Sequence, residues 1–302
     1  SISNIIAVST HTMPYLTVNN AHRDVIGNYT YYYFKQSTGG SFTLQYSDEI
    51  PLTKLIDILL VGGGGCGGFD GGYWGSGGGG AGAYVTGEID PNNNIQHNIT
   101  IGDGGYGNQI AGNGGKSSIY TQYGTMIVEA YGGGRGGDNP GTVNGGAGSN
   151  LVGSGGGGSG DGTGGAINDP AGGQGSGMPG DPAGYIVGET EPAQGAPAFT
   201  QPTGVYATGG GAGWTANNRT NDWHHYPRRG GGGGGGAGEW GGSAPEGWIG
   251  GNGGAGKQWK DDVWYAGGGA GQGVNDRNNE NSGGNGGGNG GQPGVTNKGG
   301  GG

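Results

Sequence analysis

Residues 230–236 are an unbroken run of glycine, and glycine-dominated runs recur at 209–213, 230–238, 250–256, 267–273 and 283–291. A backbone this bare limits the fold more than any other feature. Glycine in a helix costs about 1 kcal/mol per residue relative to alanine. In a strand it brings no side chain to pack. A left-handed helix of the polyproline II type suits it better, with three residues per turn and a rise of about 3.1 Å. Such a rod makes no internal hydrogen bonds, so its N–H and C=O groups point outward and must pair elsewhere. Neighbouring rods can pair them if the backbones approach closely, which requires glycine at most contact positions. Residues 230–238 would span about 28 Å at that rise. The competing reading is a set of long irregular loops on a β core.

The distribution of glycine sharpens this. Of 90 glycines in 302 residues, all but Gly27, Gly39 and Gly40 follow Val61. A border is expected there, with an N-terminal antiparallel β region over 1–61 and a glycine-rich domain over 62–302. Within the latter, 62–135 interleaves strands with glycine runs, and 136–302 holds polyglycine rods joined by aromatic loops. Collagen is excluded, because it needs glycine at every third position and abundant proline, whereas proline is only 13 residues here. Ordinary disorder pairs low hydrophobicity with high charge, but charged residues are only 11%.

Strand signals are clearest early. Residues 29–34 are aromatic and β-branched, 41–46 alternate with period two, and 55–61 read as a largely buried strand. Gly39-Gly40 suits a hairpin turn between the first two. Residues 83–89, 98–101 and 125–131 are further strand candidates, and 184–187 one more. Ile2, Ile5, Ile6 and Val8 form an apolar start that reads as another strand or as an arm adding a strand to a neighbour. No segment carries helical periodicity, so the expected class is mainly β plus polyglycine II helices, with almost no α-helix.

The net charge of −10 repels nucleic-acid phosphates, so no nucleic-acid partner is expected. Arg228-Arg229 reads as a solvated loop. Cys66 is the single cysteine, which excludes an intrachain disulfide, and it reads as a small packing residue. No apolar run approaches the ~18–20 residues of a membrane span, so no membrane insertion is expected. No signal peptide is legible, and the start at Ser1 reads as a processed terminus or an excerpt. Sequons at Asn28, Asn98 and Asn218 permit N-glycosylation.

Few motifs point to chemistry. Gly114-Gly-Lys-Ser117 lacks the first glycine of a phosphate loop, since that position is Ile110. Residues 133–138 and 158–161 have the glycine-aspartate flavour of calcium-binding β-rolls but not their apolar period. They read as turns, with one structural calcium left open and no other cofactor expected. His224-His225 with Asp222 reads as a solvated or stacking loop, because adjacent histidines in a strand point to opposite faces. No nucleophile–base spacing or carboxylate pair stands out, so no enzyme activity is expected. The aromatic cluster says most. Trp214, Trp223, Trp240, Trp248, Trp259 and Trp264 lie in one stretch, with His224, Tyr226 and Tyr265 among them. Such rings seal a rod lattice that lacks a side-chain core or fill a subunit interface. The competing role is stacking on sugar faces.

Several segments occur in a familiar order. Ser41-Phe-Thr-Leu is followed by Leu55-Ile-Asp-Ile-Leu-Leu-Val-Gly-Gly-Gly-Gly65 and by Gly77-Gly-Gly-Gly-Ala-Gly-Ala-Tyr-Val85. Asn98-Ile-Thr-Ile-Gly-Asp-Gly-Gly105, Gly112-Asn-Gly-Gly-Lys-Ser-Ser-Ile119 and Val128-Glu-Ala-Tyr-Gly-Gly-Gly134 continue it. Over roughly residues 30–160 the chain resembles the glycine-rich domains of phage tail-fibre and adhesin proteins and of secreted surface proteins. The resemblance implies β-sheet with polyglycine helices and an extracellular, cell-surface or virion-surface setting. The expected function is a structural fibre or filament subunit that self-associates. The alternative is an adhesin whose aromatic loops bind a surface glycan or protein receptor.

Overall fold

The structure is a computed structural model. It describes residues 5–11, 16–35, 40–44, 56–68, 75–89, 96–106, 112–137, 153–158, 199–206, 214–215, 229–244 and 249–273, with short pieces at 283–284, 287–288, 294 and 298–302. Among the described residues no helix is present, and none is therefore long and apolar enough to cross a membrane. The strands are β1 (Ile5–His11), β2 (Leu16–Asn19), β3 (His22–Ile26), β4 (Tyr29–Lys35), β5 (Gly40–Leu44), β6 (Ile56–Val61), β7 (Tyr84–Ile89) and β8 (Gln96–Thr100). They continue with β9 (Ser117–Thr121), β10 (Met126–Ala130), β11 (Phe199–Tyr206), β12 (Trp214–Thr215), β13 (Arg229–Gly230), β14 (Lys257–Gln258) and β15 (Trp264–Tyr265). One sheet has the order β11-β7-β6-β1-β4-β3 and the other β10-β9-β8-β5-β2. Two ribbons, β12-β13 and β14-β15, complete the set. Every pairing is antiparallel.

The two large sheets face each other. Phe34, Ile56, Ile58, Leu60, Val85 and Ile89 of the first pack with Ile99, Ile119, Val128 and Ala130 of the second. The first sheet is also covered on its other face, where Tyr31, Leu59, Val61 and Tyr84 meet Ala237, Trp259 and Tyr265. Covering on both faces explains why β6 is a nearly continuous apolar run rather than an alternating one. Its one acid, Asp57, forms an ion pair with Lys260 at 2.6 Å.

Both sheets take strands from either side of Val61, so the compositional border is not a border in the fold. The expected hairpin at Gly39-Gly40 is not formed. β4 and β5 belong to different sheets, and Gly40 crosses so close to the Phe34 ring that a Cβ there would strike it. The hairpin that does form joins β3 to β4 through Gly27 and Asn28, with Gly27 at φ 59°. That is the positive φ a two-residue hairpin turn demands. β11 contains Pro202 and shifts register between Thr200 and Gly204. Proline is tolerated there because β11 is an edge strand.

The described glycine segments form few strands, yet their backbones are hydrogen-bonded to one another at many positions. Segment 76–83 is the clearest. Its N–H groups at Gly77, Gly80 and Ala83 donate to Gly137, Gly134 and Tyr131, at 3.1, 2.8 and 2.8 Å. Those at Gly78 and Ala81 donate to Gly232 and Gly235, and those at Gly79 and Gly82 to Gly302 and Gly299. Residues three apart thus reach the same neighbour. Its carbonyls accept from three further segments with the same period: from Gly62, Gly65 and Gly68, from Ser154 and Gly157, and from Gly269 and Gln272. The backbones approach so closely that a Cβ at Gly79 would be driven onto the carbonyl oxygen of Gly65, and one at Gly80 onto that of Ser154.

The order of these bonds fixes direction. Segments 231–238 and 250–256 run parallel to 76–83, whereas 62–68, 131–137, 153–158 and 266–273 run against it. Strands therefore join the glycine segments at one pole, at 61–62, 83–84 and 130–131. At the opposite pole lie the ends at 68 and 75, 137 and 158, 215 and 229, and 244 and 249, whereas the end at 153 lies at the sheet pole, beside Ala81.

Candidate functional site

At the sheet pole the covered face of β4 presents Tyr29, Tyr31 and Tyr33, alternating with Thr30, Tyr32 and Phe34 on the sandwich side. Period-two alternation produces this row, because successive strand side chains point to opposite faces. Tyr31 and Tyr33 stack at 6.2 Å between ring centroids. The ribbon β14-β15 folds over the row, and Trp259 meets Tyr31 edge-on at 5.7 Å. Three tyrosine hydroxyls fasten the ribbon: Tyr31 donates to the Lys260 carbonyl at 2.8 Å, Tyr84 to the Gln258 carbonyl at 3.3 Å and Tyr33 to Asp261 Oδ2 at 3.2 Å.

Asp261 is the centre of the fastening. It is buried, and it accepts from Tyr265 Oη at 2.6 Å and from the Val263 N–H at 3.1 Å. Burial, and then the hydrogen bond and charge of Asp261, push the Tyr265 hydroxyl far above the ordinary tyrosine range. Tyr33 is raised by burial and by the Asp261 charge in the same way. Lys298 lies 4.6 Å above the Tyr265 ring. Burial lowers its pKa, against the attraction of Asp261. Asp262 and Ala266 bracket β15 with φ near 60°, a left-handed backbone that aspartate tolerates and alanine adopts only at a cost. The arrangement holds two parts of the molecule together: the hydroxyls of Tyr31, Tyr33, Tyr84 and Tyr265 each bond Asp261 or a backbone carbonyl.

A second polar cluster lies on the other sheet. Glu129 accepts from Lys116 at 2.6 Å, Tyr120 at 2.9 Å and Tyr131 at 2.8 Å. Burial opposes its ionisation, but the three hydrogen bonds outweigh burial and hold its carboxyl below the ordinary range.

Among the sequence-selected aromatics, Trp259 and Tyr265 are buried in the seal. Trp240 and Trp264 are 39% and 40% exposed. Trp214 lies in β12, opposite Gly230. Trp223, His224, His225, Tyr226 and Trp248 lie outside the described residues, as do Asp222, Asn218, Ile2 and 184–187. Asn28 is exposed at the β3-β4 turn and Asn98 is exposed on β8, where it accepts from Gln96 at 2.9 Å. Ile5, Ile6 and Val8 belong to β1, which is paired on both edges by β4 and β6 of its own chain rather than standing free. Cys66 is half-buried and its Sγ accepts from the Gly112 N–H at 3.0 Å. Among the described residues no three acidic, histidine or cysteine side chains converge on a metal site. Asp138 and Asp161 lie outside those residues. Sequence reasoning missed Asp261 and Glu129. The alternation of rings in 29–34 was the legible signal for the row that Asp261 fastens.

Among the described residues these features define a class: mainly β, with small antiparallel sheets continued by glycine segments that bond backbone to backbone. The chain belongs to the glycine-rich domain family, whose family model matches residues 37–260, well over half of its length. No curated protein and no solved structure is significantly similar to it.

Proposed function

We propose that the glycine segments are polyglycine II helices packed as a lattice, and that the protein is a non-enzymatic structural subunit of an extracellular or virion-surface fibre or filament. The observation that carries this is the three-residue period of the hydrogen bonds around segment 76–83, directed in turn to separate neighbours. A left-handed helix with three residues per turn projects its N–H groups that way. A body bonded in every direction across its axis is stiff and offers few loose backbone sites to proteases. Such properties suit an external fibre. Electron microscopy of the native assembly tests the reading: filaments composed of this chain support it, and dispersed single molecules overturn it.

One observation favours a second reading, an adhesin. Several connections, including 216–228 with Trp223 and Tyr226, start and end at the pole opposite the sheets. Loops gathered at one end of a rigid scaffold suit receptor recognition. A glycan array comparing the unaltered protein with a Trp223→Ala, Tyr226→Ala variant tests it. Binding that the variant loses supports the adhesin, and no binding by the unaltered protein counts against a glycan receptor.

A further inference from the structure

β1 holds the six-stranded sheet together from its middle. Without it, β11-β7-β6 and β4-β3 are separate pieces with facing, unpaired edges. β1 pairs along its full length with β4, from Ile5↔Lys35 to His11↔Tyr29, and with β6 from Ile6↔Leu60 to Ser9↔Asp57. The flanking residues in that slot include Phe34, Ile58 and Leu60, which are at most 2% exposed. An empty slot would uncover them and leave two ladders of backbone groups unpaired, so each copy of the chain needs a strand there.

The connection of β1 to the residues that follow it is slight. Only residues 12–15 join it to β2, and β2 belongs to the other sheet. That short connection contains Pro14, which biases the residue before it towards extended backbone. We propose that β1 is an exchangeable strand: in the assembled state it fills the β4–β6 slot of a second copy of this chain. The inference rests on the self-association reading above and supplies its joint. Exchange preserves every pairing of the closed monomer, so the choice between closed and exchanged forms falls to the strain of the connection and to protein concentration. Head-to-tail exchange gives an open chain of subunits, whereas reciprocal exchange gives a closed dimer.

Register makes the test specific. Ser9 faces Asp57 across the β1-β6 pair. Two full-length chains are made in a Cys66→Ser background, one carrying Ser9→Cys and the other Asp57→Cys. They are unfolded, refolded together at high concentration, oxidised and run without reductant. Neither chain can close this disulfide by itself. The expected result is a mixed disulfide between the two chains, absent when either is refolded alone. A full-length chain with both cysteines is expected to give a ladder of linked subunits where exchange is head-to-tail and a doubly linked dimer where it is reciprocal. Monomers only from the mixture, with an internal disulfide in the double variant, would overturn the proposal. Microscopy of the same samples separates the two claims. Filaments without the mixed disulfide sink the exchange and leave the fibre reading standing. Linked dimers without filaments support the exchange and sink the fibre reading.

Discussion

At Gly79 the absence of a side chain is a structural requirement, because a Cβ would meet the carbonyl oxygen of Gly65, which itself accepts a hydrogen bond from the Gly302 N–H. Gly124 differs: it needs its positive φ of 81°, but nothing lies within 4 Å of an added Cβ. Gly79→Ala is therefore expected to lower stability by about 3 kcal/mol or more, through overpacking that neither backbone can relieve. Gly124→Ala should lose about 1–2 kcal/mol, the cost of left-handed backbone for an L-residue. Equal losses in urea unfolding would refute the distinction. Glu129 gives a second test at this scale. Its folded pKa lies below the ordinary value of 4.5. The stability it contributes is present above that ordinary value and is lost as pH falls through the folded pKa. Glu129→Gln should flatten that acid limb in unfolding midpoints measured across pH. An unchanged limb would show that the carboxylate is not responsible.

Among the elements, the β14-β15 ribbon decides how the body meets the sheet. It belongs to the glycine-rich stretch, yet it lands on the tyrosine row of β4, more than two hundred positions earlier in the chain. Trp259 is its main apolar contact, 7% exposed and set edge-on to Tyr31. Trp259→Ala should destabilise by about 3–5 kcal/mol, as for other buried aromatic truncations. Loss of the tyrosine near-ultraviolet circular dichroism before the far-ultraviolet signal would show that the ribbon lifts first. A variant as stable as the parent would mean that the seal is not a source of stability.

Across the whole molecule, cohesion comes from two materials. The sheet pole has a side-chain core, and the glycine body has backbone bonds at successive residues. Each bond contributes only about 1 kcal/mol net, set against the high ordering entropy of glycine, so the body holds only when all its segments assemble together. Amides of 77–83 should therefore exchange with deuterium only through global unfolding, whereas β3, exposed along its length and paired on one edge, should exchange quickly. Peptide-resolved hydrogen exchange checks this, and fast exchange throughout 77–83 would show that the body opens independently of the sheets.

Much of the local structure was legible because it depends on neighbours in sequence. β4, β6, β7, β8 and β10 follow from β-branched and aromatic runs bounded by glycine, and membership in a glycine-rich family follows from composition and order. β3 was not legible, since His22–Ile26 is exposed along its length and carries no alternation. The hairpin expected at Gly39-Gly40 failed because turn chemistry permits a reversal without saying which sheet receives the next strand. Asp261 gave no signal either: its meaning comes from Tyr33 and Tyr265 arriving around it. From the residues alone, glycine bonded to glycine was the favoured way to satisfy so much bare backbone, with irregular loops as the competing reading. Which segments are neighbours, which run parallel, and that β1 sits between β4 and β6 emerge from the fold. Identical glycine backbones carry no label of their own, so their pairing is settled by the strands and the ribbon that anchor their ends.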